Sequence, residues 1–322
     1  MIAETLKESS AHPLADLAMT SAALQALEDE ALMPEERYNL AAALVHRLTA
    51  EIVQAERANI PRGQIADALA PARAVHRTSP FIRHCQDWPR GYAGDFEMIG
   101  WLLAPRVQAR PDTVGHALER LALHCPPAQQ HRNKVEYQAR LVTRTIRDRP
   151  SEPRILSIGC GGAQDLIAGL AEIHRPVHLV LNDLDPAATR HASSSLAASG
   201  RRIRLMTENA LVAGRRLARE REQFDLILAG GLIDYLDDRT VVRLLRLLSA
   251  LISENGRLYF SNMAPGNPYR AWMDYLFEWR LIERDEDSLT GLLAESGIVT
   301  DRVRIRREGT GLACLVEVRT AT

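Results

Sequence analysis

The run Arg154-Ile155-Leu156-Ser157-Ile158-Gly159-Cys160-Gly161-Gly162 constrains this chain more than any other. An apolar segment of this length reads as a buried parallel strand. The glycines that end it let the backbone turn tightly and let a ligand approach with no Cβ in the way. From Ala163 the pattern turns helical, so the free N–H groups of a helix start face that ligand. A second strand, Val177 to Asn182, ends at Asp183, 24 positions after Gly159 (183 − 159). A carboxylate at that strand tip can accept hydrogen bonds from ribose hydroxyls, and the spacing is close to the roughly 20 residues of a dinucleotide fold. Gly159, Cys160, Gly161 and Asp183 are therefore the expected cofactor-binding residues, with Cys160 read as a small lining side chain in place of a nucleophile.

NAD and S-adenosylmethionine both satisfy these features. Gln164 stands where G-x-G-x-x-G has its third glycine, which disfavours NAD; S-adenosylmethionine has no pyrophosphate that needs this third close approach. Later segments extend the pattern. Ile203 to Met206 is a short strand followed by Asn209, the residue expected to reach adenine. Phe224 to Gly231 is a fourth strand whose small end, with Gly230, leaves room for reacting groups, and Asp234 and Tyr235 come next. Gly256 to Asn262 forms a fifth strand after a turn at Glu254-Asn255-Gly256. Two β-rich runs, Ile298 to Arg306 and Leu312 to Arg319, close the chain as a hairpin about Glu308-Gly309-Thr310-Gly311.

Over roughly residues 128–322 this succession resembles the class I S-adenosylmethionine-dependent methyltransferases. The resemblance implies an α/β, Rossmann-like seven-stranded methyltransferase sheet with its last strand antiparallel, preceded here by an N-terminal helical domain, and S-adenosylmethionine as cofactor. One position departs from that family. An acidic residue often stands two before the first glycine, to meet the methionine ammonium, and here it is Ser157.

A narrower resemblance rests on Gly91-Tyr92-Ala93-Gly94-Asp95-Phe96-Glu97-Met98-Ile99, Pro127-Ala128-Gln129-Gln130-His131-Arg132-Asn133-Lys134, Gly231-Leu232-Ile233-Asp234-Tyr235-Leu236, Trp272-Met273-Asp274-Tyr275 and Trp279 to Arg284. Together these look like the bacterial 3-hydroxypalmitic acid methyl ester biosynthesis methyltransferases. That resemblance implies methyl transfer to a fatty-acid carboxylate, although fold and cofactor carry over better than substrate.

Three regions are expected: a helical domain at 1–75, a cap or lid at 76–127 and the methyltransferase domain at 128–322. Leu24, Leu27, Leu40, Leu44, Leu48 and Ile52 recur at helical spacing, Pro34 separates two helices, and Ala70-Pro71-Ala72-Arg73 is the expected linker. The helical part covers one end of the sheet, serves as a lid or forms a homodimer. Trp88 to Asp95 reads as a structured loop. Asp95 either caps the helix that begins at Phe96 or serves the site, and the family resemblance favours the site.

Catalytic candidates are Tyr92, Asp95, Asp234 and Tyr235, with Arg132 as a counter-charge for a carboxylate and Asn262 and Asn267 as acceptor-orienting groups or, for Asn267, a turn. A carboxylate acceptor is already ionised near pH 7 and needs no base, whereas a hydroxyl or protonated amine needs one such as Asp95 or Asp234. The leading expectation is O-methylation of a small carboxylate or hydroxy fatty acid. Methylation of another secondary metabolite at N or O, an NAD-dependent oxidoreductase and a non-catalytic cofactor-binding module stand beside it.

Lys and Arg total 40 against 41 Asp and Glu, so no global basic field invites nucleic acid. No segment approaches the ~20 apolar residues of a membrane span, and Met1 to Ser10 is polar, which points to a cytoplasmic chain without a membrane partner. Cys85, Cys125, Cys160 and Cys314 are scattered and form no C-x-x-C pair, so no disulfide and no metal site are expected. The histidines form no H-E-x-x-H.

Overall fold

The computed structural model describes residues 12–149, 151–197 and 201–319, and the polar start Met1 to Ser10 lies outside them. Its apolar runs form β1 (Arg154–Ile158), β2 (His178–Asp183), β3 (Arg202–Thr207), β4 (Phe224–Ala229), β5 (Ile252–Met263), β6 (Val303–Arg307) and β7 (Ala313–Arg319). They make one sheet in the order β3-β2-β1-β4-β5-β7-β6. The first five strands are parallel, and β7 lies antiparallel between β5 and β6, pairing Phe260 with Val316 on one side and Ile305 with Val316 on the other. The α/β seven-stranded expectation therefore stands.

The sheet is apolar on both faces because helices cover both. Leu156 and Ile158 of β1 join one core with Val180 and Phe260, while Ile155 points the other way and joins Leu179, Leu228 and Tyr259. Each such side chain taken out of water contributes about 1.5–3 kcal/mol. Strand order reverses at β1, which pairs with β2 on one side and β4 on the other. Ligands of open parallel sheets bind outside the carboxyl ends of the strands at such a reversal.

Two sequence expectations need correction here. The turn at Glu254-Asn255-Gly256 does not precede β5; it lies inside the strand as an irregularity, since Phe224 pairs with Ile252 and Leu226 next pairs with Arg257, with Asn255 at φ 58. The extra residues bulge out, so sequence turn chemistry is present without a chain reversal. The hairpin strand β6 is also shorter than Ile298 to Arg306, because Thr300–Arg302 is a 3-10 turn.

The chain divides into two compact units. The sheet unit comprises Gln129–Gly266 and the chain from Leu281 onward, with the long helix Pro126–Asp148 beginning at its boundary. The helical unit comprises the chain up to Ala128 together with Asn267–Arg280, so residues 12–75 and 76–127 fall in one compact body. Prolines open many of its helices: Pro13, Pro34, Pro71 and Pro80 stand in the first turns of Pro13–Ala26, Pro34–Arg57, Ala70–His76 and Pro80–Asp87. A missing N–H costs nothing there and the fixed φ suits a helix start. Ala70-Pro71-Ala72-Arg73 is accordingly no linker: Ala72 is buried and its N–H donates to Ser21 Oγ at 3.0 Å.

The short helix Arg270–Leu276 belongs to this unit through Trp272, a fully buried side chain whose Nε1–H donates to His76 Nε2 at 2.9 Å. The other ring nitrogen of His76 donates to the Ala72 carbonyl at 2.7 Å. That pairing uses the neutral imidazole on both sides, and burial pushes His76 down to about 4.

Candidate active site

After β1 the backbone enters the left-handed region at Gly159 (φ 61) and Gly161 (φ 49), which a side chain would strain. A Cβ on Gly159 would also lie 3.3 Å from Leu232 Cβ, so the ends of β1 and β4 approach closely here. Hydrogen bonds hold the turn to the second strand: Cys160 N–H donates to the Asn182 carbonyl at 2.9 Å and Gly161 N–H to Asp183 Oδ2 at 2.8 Å. Asp185 N–H donates to Asp183 Oδ1 at 3.0 Å. The Leu184 N–H also reaches this carboxylate, so the backbone fills three of its roughly four acceptor sites and leaves one for a ligand hydroxyl. Burial pushes Asp183 upward, and these backbone bonds oppose the shift. Leu184, beside it, is 70% exposed, an apolar surface next to the carboxylate. A glycine turn, a strand-tip carboxylate with spare acceptor capacity and an adjoining apolar side chain fit an adenosine cofactor.

The remaining cofactor candidates have structural duties as well. Asn209 caps the helix Ala210–Arg219, its Oδ1 accepting from Leu211 N at 2.9 Å. Asn182, which the sequence did not single out, bridges β2 to β3 through its Nδ2, donating to the Met206 and Glu208 carbonyls at 2.8 and 2.7 Å. At Gly230 a Cβ would meet Gln138 Oε1 at 1.9 Å, so the room left by the glycine is filled by the long helix. Ser261 Oγ holds the Gly230 carbonyl at 2.6 Å. Burial, with Asp183 and Asp165 nearby, pushes the Cys160 thiol well up, which makes it a poor nucleophile.

Asp234 follows β4 in the 3-10 turn Ile233–Tyr235 and is 3% exposed. Its Oδ1 accepts from Met263 N at 2.5 Å, and its Oδ2 lies 3.8 Å from Lys134 Nζ, itself buried on the long helix. Burial pushes Asp234 up and Lys134 down, and each partner's charge opposes the other's shift. Tyr235 is 38% exposed. The buried Arg284 guanidinium pins this turn, donating to the Ile233 carbonyl at 3.2 Å, the Leu236 carbonyl at 2.5 Å and Asn262 Oδ1 at 2.8 Å. Asn262 Nδ2 in turn donates to the carbonyls of Met263 and Ile282. Its amide is consumed by the fold, so Asn262 does not orient an acceptor. Arg132 is half-buried and donates from Nε to Gln129 Oε1 at 3.0 Å.

In the helical unit Asp95 is 2% exposed and caps Phe96–Leu103, accepting from Met98 N at 2.8 Å. The same carboxylate takes His84 Nε2 at 2.8 Å, and the His84 ring stands edge-on to Trp101 with centroids 5.0 Å apart. The cap and the hydrogen bond with His84 therefore coexist at Asp95. Tyr92, 37% exposed, lies in the loop between Gly91 (φ 83) and Gly94 (φ 72). Asn267 makes the turn, its Oδ1 accepting from Tyr269 N at 3.0 Å. Lys134, His84 and Arg284 escaped sequence reading because their partners stand 100, 11 and 22 positions away (234 − 134, 95 − 84, 284 − 262). Asp165 carried a readable signal, an acid in the first turn of the helix Gln164–Gly169 after the glycine run.

Residues 156–258 match the family model described as a methyltransferase domain. This part of the sheet unit is a methyltransferase domain. Among solved structures, a possible exported protein from Bordetella parapertussis is similar over 98% of both chains, with a TM-score of 0.55 and 18% identity. That likeness is one of fold. Magnesium protoporphyrin IX methyltransferase from Synechocystis, solved with bound S-adenosylmethionine, aligns over 60% of this chain and 83% of its own at a TM-score of 0.44 and 14% identity. The 1,6-didemethyltoxoflavin-N1-methyltransferase of Burkholderia thailandensis aligns over 59% and 79% at 0.42 and 17%. No curated protein sequence matches the chain. No helix among the described residues is long and apolar enough to cross a membrane.

Proposed function

We propose that this methyltransferase O-methylates a small acceptor, a carboxylate or a hydroxy fatty acid. The observation that carries the reading is the glycine turn clamped by Asp183 beside the strand-order reversal. Gly159, Cys160 and Gly161 would line the cofactor, and Asp183 would hold its ribose. When bound, the sulfonium supplies an activated methyl, so the chain need only align the acceptor oxygen and exclude water.

Asp234 and Tyr235, just after β4, are the acceptor-side residues of this reading. The Lys134 ammonium keeps a buried countercharge at Asp234, which suits a group that must take a proton and return to the anion. Tyr92 and Asp95 enter on the family resemblance, and His84, oriented by Asp95, would be the base of that pair. The fatty-acyl acceptor also rests on the resemblance. A small-molecule acceptor, an absence of nucleic-acid and membrane partners, a cytoplasmic location and a homodimeric state complete the proposal.

The test is calorimetric titration of the full chain with S-adenosylmethionine, S-adenosylhomocysteine and NAD in parallel, followed by an acceptor screen read as S-adenosylhomocysteine release. Binding of the two sulfur compounds and turnover with hydroxy fatty acids is expected. Turnover confined to amines would remove the O-methylation reading, and binding of NAD alone would remove the cofactor assignment.

A further inference from the structure

The Asp165 carboxylate is 7% exposed and sits directly after the glycine turn, in the first turn of Gln164–Gly169. Its Oδ1 accepts from Leu166 N at 2.9 Å. No lysine, arginine or histidine of the described residues pairs with it. The ionisable neighbours that feel its charge are the Cys160 thiol and the Tyr259 hydroxyl, and burial keeps both neutral. An unpaired buried carboxylate is costly to ionise, and a fold that retains one leaves a place for a cation. Elsewhere in the sheet unit the buried acid Asp234 has its lysine.

The cofactor offers the cation. Its methionine end bears an α-ammonium, largely protonated at pH 7 given an α-amino pKa near ~7.7–8.0. Ser157, at the position two before the first glycine where an acidic side chain would meet that group, offers only a neutral hydroxyl on a buried strand. We infer that Asp165 binds the methionine ammonium of S-adenosylmethionine in place of the missing strand-end acid. The inference rests on the methyltransferase reading. Asp183 and Asp165 then divide the cofactor between them, one at the ribose and the other at the amino-acid end.

Truncating the ligand isolates the contact. 5′-Methylthioadenosine keeps the adenine, ribose and sulfur of S-adenosylhomocysteine and lacks the ammonium and carboxylate. Calorimetry with S-adenosylmethionine, S-adenosylhomocysteine and 5′-methylthioadenosine on the full chain should show Asp165→Asn losing at least tenfold in affinity for the first two and less than twofold for the third. Asp165→Glu, which keeps the charge, should retain more of the preference for S-adenosylhomocysteine over 5′-methylthioadenosine. Equal affinities for wild type and Asp165→Asn with all three ligands would overturn the assignment. So would a parallel loss on all three, since that marks damage to the turn. A wild-type chain that binds none of them would overturn the cofactor reading on which the assignment stands.

Discussion

His76 in the helical unit and Asp165 in the sheet unit are both buried ionisable side chains, and their surroundings treat them in opposite ways. His76 is held neutral with a partner on each ring nitrogen, the Trp272 indole on one side and the Ala72 carbonyl on the other. Asp165 has the backbone N–H of Leu166 and that of its own residue, and no cation among the described residues. The first arrangement closes a scaffold, since every polar atom of the ring is answered within the unit. The second leaves a charge to be answered from outside, which is how binding sites differ from cores.

The comparison has a sign that solution experiments can break. Burial lowers His76 from 6.5 to about 4, so the unfolded chain binds the extra proton between these values. Stability from this group is fully present above pH 6.5 and falls as pH drops toward 4, by about 3 kcal/mol in total. Hydrogen exchange in Ala70–His76 and Arg270–Leu276, corrected for intrinsic rates, should show protection decline over that window; constant protection would mean His76 is not held as described.

Burial raises Asp165 from 3.8 to about 6, so here the native chain holds the extra proton. The cofactor-free protein is therefore penalised as pH rises from 3.8 through 6, by up to about 3 kcal/mol. Asp165→Asn is expected to stabilise the cofactor-free chain at pH 7 and to leave it unchanged at pH 4, measured by urea denaturation. Destabilisation at pH 7 would show that the carboxylate is already satisfied inside the fold.

Asp183 sharpens the contrast from a third direction, because it serves fold and ligand together. Asp183→Ala removes the acceptor for Gly161 N–H as well as the ribose contact, and should weaken S-adenosylmethionine by about 1.5–3 kcal/mol, some ten- to hundredfold, in calorimetry. Retained affinity would take Asp183 out of the site. The smallest effect belongs to the helical unit. Asp95→Ala deletes the Phe96–Leu103 cap and should cost about 1 kcal/mol in thermal unfolding. If turnover falls far more than that loss of folded protein explains, Asp95 acts with His84 beyond its capping role.

Much of the sheet was legible from the sequence because a parallel strand buried on both faces is a continuous apolar run. Arg154–Ile158, Phe224–Ala229 and their neighbours lie close to their expected limits. The glycine turn and Asp183 were legible for a related reason, since both are adjacent in sequence to the strand ends that define them. Errors arose where local chemistry admits two structures. Asn255-Gly256 is equally good as a turn or a bulge, and Pro71 equally good in a linker or a first helical turn. Asn262 looked available because its amide is polar, whereas Arg284 and two carbonyls had already claimed it.

The sequence by itself determined the order of the strands along the chain, the cofactor turn and the acid at the tip of β2, because each is written within a few neighbouring residues. Only the tertiary structure decided which polar groups are spent and which remain. Lys134 meets Asp234, Arg284 meets Asn262, and His76 meets Trp272 across 100, 22 and 196 positions, while Asp165 meets no cation among the described residues. Burial and pairing depend on what packs from elsewhere in the chain, and those neighbours set whether a charged side chain serves the fold or awaits a ligand.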